Sequence, residues 1–245
     1  MSVNVIQGHC HPKIIAALHQ QSLKLTLTSR AFYNDCLGEF EEFACKLFGY
    51  DRSGMESRIH DNTTFNIVSR LLPMNTGVEG GETANKLARK WAYKVKGVPQ
   101  NKAKTIYAKN NFWGRTLAAV SSSTDPSAYS DYGPFMPVTF LSVLIYSTST
   151  CNNQGFVTVD FNDLAALEAE LADPHTAAFM VEPIQGEAGV VVPDPGYLRG
   201  VRDLCTKHNV LWIADEVQTG LCRTGKMLAV DWEVRETKVD LSKNL

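Results

Sequence analysis

The sequence contains no Cys-x-x-Cys pair. Its six cysteines are scattered at positions 10, 36, 45, 151, 205 and 222. That spacing suits free thiols in a reducing compartment better than a disulfide framework. Long apolar runs are also absent. The longest, Val138 to Tyr146, is too short to span a bilayer. The start, MSVNVIQGHCHP, has neither an apolar signal core nor an Arg-rich presequence, so no targeting segment is expected. Dense basic stretches are missing as well, and with a net charge of -2 and a pI near 6.3 nucleic acid is not an expected partner. Neither G-x-G-x-x-G nor G-x-x-x-x-G-K-[ST] occurs, which argues against a dinucleotide-binding or P-loop module. Internal repeats and low-complexity segments are lacking too. What remains is the profile of a soluble globular protein: 245 residues, 44% hydrophobic and 20% charged.

Helical and strand patterns alternate along the chain. Pro12 opens a helical run through Ile14, Ile15 and Leu18. From Glu82 onward, Ala84, Leu87, Ala88, Trp91 and Val95 recur at helical spacing until Gly97, a C-cap residue. Thr105 to Ala108 reads as a short strand, and Asp163 caps a helix bearing Leu164, Leu167 and Leu171. Thr176 to Val181 then reads as a buried strand, Pro195 as a helix start with Leu198, Val201, Leu204 and Cys205 on one face, and Val210 to Ala214 as a second strand. Strand, helix and strand with short links predict a βαβ crossover in a parallel sheet, hence an α/β fold. Two stretches break this rhythm: Asp51 to Arg70, polar and without period, and Val138 to Gln154, apolar and then rich in Ser, Thr and Asn.

The chemistry is concentrated where strands end. LWIADEVQTGLCRTG, Leu211 to Gly225, carries an apolar strand into Asp215 and Glu216. A carboxylate at such a strand end is costly unless a cation pairs with it, and ligands of α/β folds bind at that edge. VEPIQGEAGV places Glu182 and Glu187 beyond the other strand, at the same edge if the strands are parallel. NTGVEGGETANKLARK sets a Gly-rich turn at a helix start, where the amides of Gly77 and Val78 suit a phosphate. In NFWGRT, Phe112 suits a flat ring and Arg115 a carboxylate. The plainer readings are an ordinary turn for the first of these two motifs, and a core aromatic pair with a solvated arginine for the second. His9-Cys10-His11 has no second ligand cluster, so no metal is expected. Phosphate grip, ring platform, arginine and strand-end acid together suit a phosphorylated aromatic cation joined to an amino acid. Pyridoxal 5'-phosphate is such a molecule, and Asp215 would keep its ring nitrogen protonated.

These motifs, with QGHCHPKI, LTLTSRAFYN, SSSTDP and YGPFMP, make the chain resemble the ornithine branch of the class III aminotransferases, of PLP fold type I. The resemblance implies that Gly77 and Val78 donate to the cofactor phosphate, that Phe112 stacks on its ring and that Asp215 pairs with its nitrogen. It further implies that Val217 and Gln218 pack the ring and bond its phenolic oxygen. Arg115 would receive a substrate carboxylate, and Glu187 would help switch between the two substrates. The implied reaction moves the δ-amino group of ornithine to 2-oxoglutarate, in a homodimer of the mitochondrial matrix.

Two departures from the family pattern stand out. With Arg235 aligned to a family arginine, Lys243 falls in register with the catalytic lysine, but without the small residues that normally surround it. Asp51–Arg70 and Val138–Gln154 interrupt otherwise continuous family sequence and read as inserts. Residues 1–245 are therefore expected to form part of a PLP-binding large domain, truncated at both ends and lacking the small C-terminal domain. Without a transit peptide, the chain as written would be cytoplasmic. The competing expectation is a non-catalytic relative that at most binds pyridoxal phosphate or pairs with another subunit.

Overall fold

A computed structural model describes residues 8–29, 32–48, 71–136 and 155–234. The chain divides into two compact units, Met1–Pro73 with Thr237–Leu245, and Met74–Glu236. The two irregular stretches, 51–70 and 138–154, lie outside the described residues, as does Lys243.

In the first unit, helix α1 spans Pro12–Ser22 with proline in its first turn, where the missing N–H costs nothing. His11 is its N-cap: Nδ1 accepts from the Lys13 amide at 3.3 Å. Helix α2, Leu37–Phe48, is entered through Asn34, whose Oδ1 accepts from the Cys36 and Leu37 amides at 3.0 and 2.8 Å.

The second unit is built on a parallel sheet of β1 (Lys104–Ala108), β2 (Phe156–Val159), β3 (Thr176–Val181) and β4 (Leu211–Ala214), in the order β2-β1-β3-β4, with two short helices, α4 (Leu117–Ser121) and α5 (Pro126–Tyr129), following β1. Every residue of β3 is buried. A strand covered on both faces reads as an unbroken apolar run rather than an alternation, as TAAFMV does. On one face Ile106 and Phe179 pack with Leu167 and Leu171 of helix α6 (Leu164–Leu171) and with Val201 and Cys205 of helix α7 (Tyr197–Lys207). On the other, Ala177 and Ala178 meet Ala88 of helix α3 (Gly77–Trp91) and Ala92. Short side chains at that seam let the helix approach the sheet closely.

Register decides what the strands deliver. Val181 pairs with Ala214, so β3 and β4 end level and Glu182 and Asp215 emerge side by side. The Asp215 amide still donates to the Val181 carbonyl at 2.9 Å.

Two boundaries differ from the sequence reading. Helix α7 begins at Tyr197 rather than at Pro195, because its N-cap Gly196 sits at φ 86°, outside the helical region. Helix α3 begins at its Gly-rich turn, at Gly77, but ends at Trp91 rather than running to Gly97: it passes into a π-helical turn, Ala92–Lys96, closed by Gly97 at φ 81°.

Candidate active site

The two acids at the end of β4 have different employment. Glu216 turns toward the chain downstream: Oε2 accepts from the Ala229 amide at 3.0 Å and from the Thr219 hydroxyl, and Oε1 accepts from the Val230 amide at 2.9 Å. It is a clamp for the loop 219–230. Asp215 keeps one acceptor engaged, with Oδ1 accepting from the Val217 amide at 3.1 Å. Burial pushes its carboxyl above the ordinary aspartate range, the Val217 hydrogen bond pulls the other way, and the Glu216 charge adds to the rise. Among the described residues no cationic side chain is paired with Asp215. A carboxylate in that position is completed by a cation from elsewhere.

Helix α3 aims its first turn at the same place. Thr76 Oγ1 accepts from the Glu79 amide at 3.3 Å, and the Glu79 carboxylate accepts from the Thr76 and Asn75 amides at 3.1 and 2.7 Å. This capping box fixes the helix start. It leaves the amides of Gly77 and Val78 without an intrahelical acceptor, at the positive end of the helix dipole. A Cβ at Gly77 would lie 2.9 Å from a methyl of Val217, so the helix start and the turn after Asp215 are in van der Waals contact only because residue 77 has no side chain.

Other glycines close the remaining distances. Gly114 of NFWGRT has φ 144°, and a Cβ there would lie 2.2 Å from Val78 Cγ2. A Cβ at Gly186 would lie 2.0 Å from Gln218 Oε1. Four segments far apart in sequence (75–79, 111–116, 182–187 and 215–218) therefore meet at the C-terminal edge of β3 and β4.

Within NFWGRT the aromatics divide. Trp113 is core: it stacks on Tyr107 with ring centroids 5.9 Å apart, and its Nε1 donates to Ser122 Oγ at 2.8 Å. Phe112 is only partly buried, with its neighbour Arg115 exposed and the guanidinium carbon 5.7 Å from the Phe112 ring centroid. Across the site Gln218 Nε2 donates to Glu187 Oε1 at 3.2 Å. Glu182 is 6% exposed, and its two oxygens accept from the Phe112 and Gly186 amides at 2.9 and 3.1 Å. Burial is the main cause that lifts its carboxyl to about 7, with Asp215 and Glu187 adding to the rise and the two amides opposing it.

The structure thus gathers Gly77, Val78, Phe112, Arg115, Glu187, Asp215, Val217 and Gln218 in one region. Two features were not assigned from sequence. Glu182 and Glu216 were visible only as strand-end acids, and their partners lie 70 and 14 residues away. The close-approach glycines 114 and 186 carried no signal beyond being glycine. The residues present fit a phosphorylated aromatic cation: free helix-start amides for the phosphate, half-buried Phe112 and exposed Val217 as apolar surfaces, and Asp215 for the positive ring nitrogen.

Comparison with known proteins gives a consistent picture. The family model for aminotransferase class-III matches residues 2–243. The mitochondrial ornithine aminotransferase of Drosophila melanogaster is 59% identical over 229 residues, covering 94% of this chain and 45% of the fly protein. That of Rattus norvegicus is 59% identical over 242 residues, covering 98% and 47%. Among solved structures, an ornithine aminotransferase from Toxoplasma gondii, described with partial occupancy of PLP at its active site, superposes with a TM-score of 0.77 at 49% identity, covering 93% of this chain and 46% of that one. An acetylornithine aminotransferase from Elizabethkingia anophelis gives a TM-score of 0.67 at 43% identity. The chain spans about half the length of the relatives it matches.

Proposed function

The chain belongs to the class-III aminotransferases, and from that premise we propose that it takes part in pyridoxal-phosphate-dependent transfer of the δ-amino group of ornithine to 2-oxoglutarate, giving glutamate semialdehyde and glutamate. The carrying observation is the half-buried Asp215 carboxylate, unpaired with any described cation and in one cluster with the free amides of Gly77 and Val78. When bound, the cofactor supplies a positively charged ring that draws electrons from the substrate carbon bearing the amino group. The rest is the work of this chain's residues. Gly77 and Val78 hold the phosphate through backbone amides. Asp215 keeps a proton on the ring nitrogen. Phe112 and Val217 enclose the ring from water, and Gln218 donates to its phenolic oxygen. Arg115 leaves Phe112 for a substrate carboxylate. Glu187 exchanges partners as the two substrates alternate. Lys243, outside the described residues, would be the base that moves a proton at the substrate's reacting carbon. A homodimer in the mitochondrial matrix completes the proposal; for the compartment, the insect and rat relatives are named as mitochondrial.

The test is to mix the purified chain with pyridoxal phosphate, reduce with borohydride and map labelled lysines by mass spectrometry. Label confined to Lys243, with absorbance weakened in D215N, supports the proposal. Label absent or spread over surface lysines, with D215N behaving as wild type, overturns it.

A further inference from the structure

We propose that Glu182 is a positioning residue, holding the Phe112–Arg115 loop and the Gly186–Glu187 loop at a fixed separation across the site. The inference rests on the cofactor reading above and assigns a role to a residue that reading leaves out.

The geometry is specific to a carboxylate. Glu182 follows β3 directly, so its backbone is fixed by a strand that is buried along its whole length. One oxygen accepts from the Phe112 amide and the other from the Gly186 amide, at 2.9 and 3.1 Å. The donors belong to two different loops, 70 and 4 residues away in sequence. A carboxylate presents two acceptors in a fixed fork, whereas an amide side chain presents one acceptor and would set an NH2 against the second N–H. Each loop transmits the constraint. Phe112 carries the ring platform and lies under the Arg115 guanidinium. Gly186 lies so near Gln218 that a Cβ there would be 2.0 Å from Gln218 Oε1, and Gln218 in turn holds Glu187. A second tie between the strand ends, Gln185 Nε2 donating to the Lys109 carbonyl at 2.8 Å, anchors β1 below the loop but does not reach Phe112.

The position is an expensive one for an acid. Glu182 is nearly buried beside the carboxylates of Asp215 and Glu187, and no described cation pairs with it. Retaining a charge-bearing group where a neutral one would fold more easily marks a functional requirement.

The experiment measures cofactor affinity, by spectral titration, and the induced circular dichroism of bound pyridoxal phosphate in wild type, E182Q, F112L and the double variant. E182Q is expected to raise the dissociation constant on the order of tenfold, the worth of one charge-assisted hydrogen bond, and to weaken the dichroic band. The double variant should lose little more than either single one, because both changes act through the same ring. E182D, which keeps both acceptors on a shorter stem, should recover part of the affinity, and it serves as the test if E182Q does not fold. Unchanged affinity and dichroism in E182Q, or strictly additive losses in the double variant, overturn the inference. If wild type itself binds no pyridoxal phosphate, the cofactor reading has failed instead, and that result is read before any variant is compared.

Discussion

Replacing Gly114 with alanine tests the convergence of the site most directly. Two costs arise at that position. The backbone sits at φ 144°, on the side of the Ramachandran map that L-residues avoid, and a Cβ would lie 2.2 Å from Val78 Cγ2 and 2.6 Å from Val78 Cβ. Holding an alanine at such a dihedral costs about 1–3 kcal/mol. Forcing a methyl into occupied space costs about 1–3 kcal/mol more. G114A should therefore lose about 2–6 kcal/mol by urea denaturation, and the relief of the clash should push the start of α3 away from Phe112. The two costs separate in a cycle with V78A. That change removes the methyls nearest to the new Cβ but keeps the Val78 amide that faces the site. In the V78A background the penalty of G114A should fall, because the 2.2 Å contact is gone, but stay above the dihedral share of about 1–3 kcal/mol, because the Cβ of residue 78 still lies 2.6 Å from the new one. An identical penalty in both backgrounds would show that α3 and the NFWGRT loop do not touch as described. A penalty near zero would refute the backbone argument as well.

Three further outcomes follow from the same packing. Glu233 caps helix α7 from outside, accepting from the Gly196 and Arg199 amides at 2.9 and 3.2 Å where the N-cap glycine has no side chain; E233A should cost about 1–2 kcal/mol in urea and raise hydrogen exchange in the first turn of α7, with E233Q losing less. Tyr107 OH donates to Asn85 Oδ1 at 2.8 Å, both groups being buried; Y107F should cost about 1–3 kcal/mol by leaving that oxygen unpaired, and no loss in the denaturation midpoint would contradict it. Glu182, lifted to about 7 from an ordinary 4.5, binds its proton more tightly folded than unfolded. Its contribution is full below the unfolded value and is lost as pH rises toward 7, by at most about 3 kcal/mol; the fall in stability between pH 5 and 7.5 should be smaller in E182Q than in wild type.

Strands β1, β3 and β4, the parallel pairing of β3 with β4 and the site's address at their ends were legible in the sequence, because each rests on local pattern. TAAFMV and LWIA are apolar runs of strand length, and both stop at acids. The helix start at Gly77 was legible through its glycine turn, although its apolar period shows only from Glu82. The start of α7 was misplaced by two residues because a proline can open a helix, while here Gly196 takes the left-handed cap conformation between Pro195 and Tyr197.

What the sequence by itself determined is which chemical groups reach the sheet edge: Asp215, Glu182, the amides of Gly77 and Val78, the ring of Phe112. Periodicity and capping are set by neighbours within a few residues, so they can be read along the chain. Tertiary structure alone decided which of those groups are free. Glu216 and Asp215 are adjacent and chemically alike, yet Glu216 is consumed by amides 13 and 14 residues downstream while Asp215 has an oxygen to spare. Glu182 is shared between two loops, and glycines at 77, 114 and 186 matter only for the side chains packed against them. The physical reason is that a side chain's partner is fixed by which segments pack within hydrogen-bond reach, and segments distant in sequence are brought there only by the folded core.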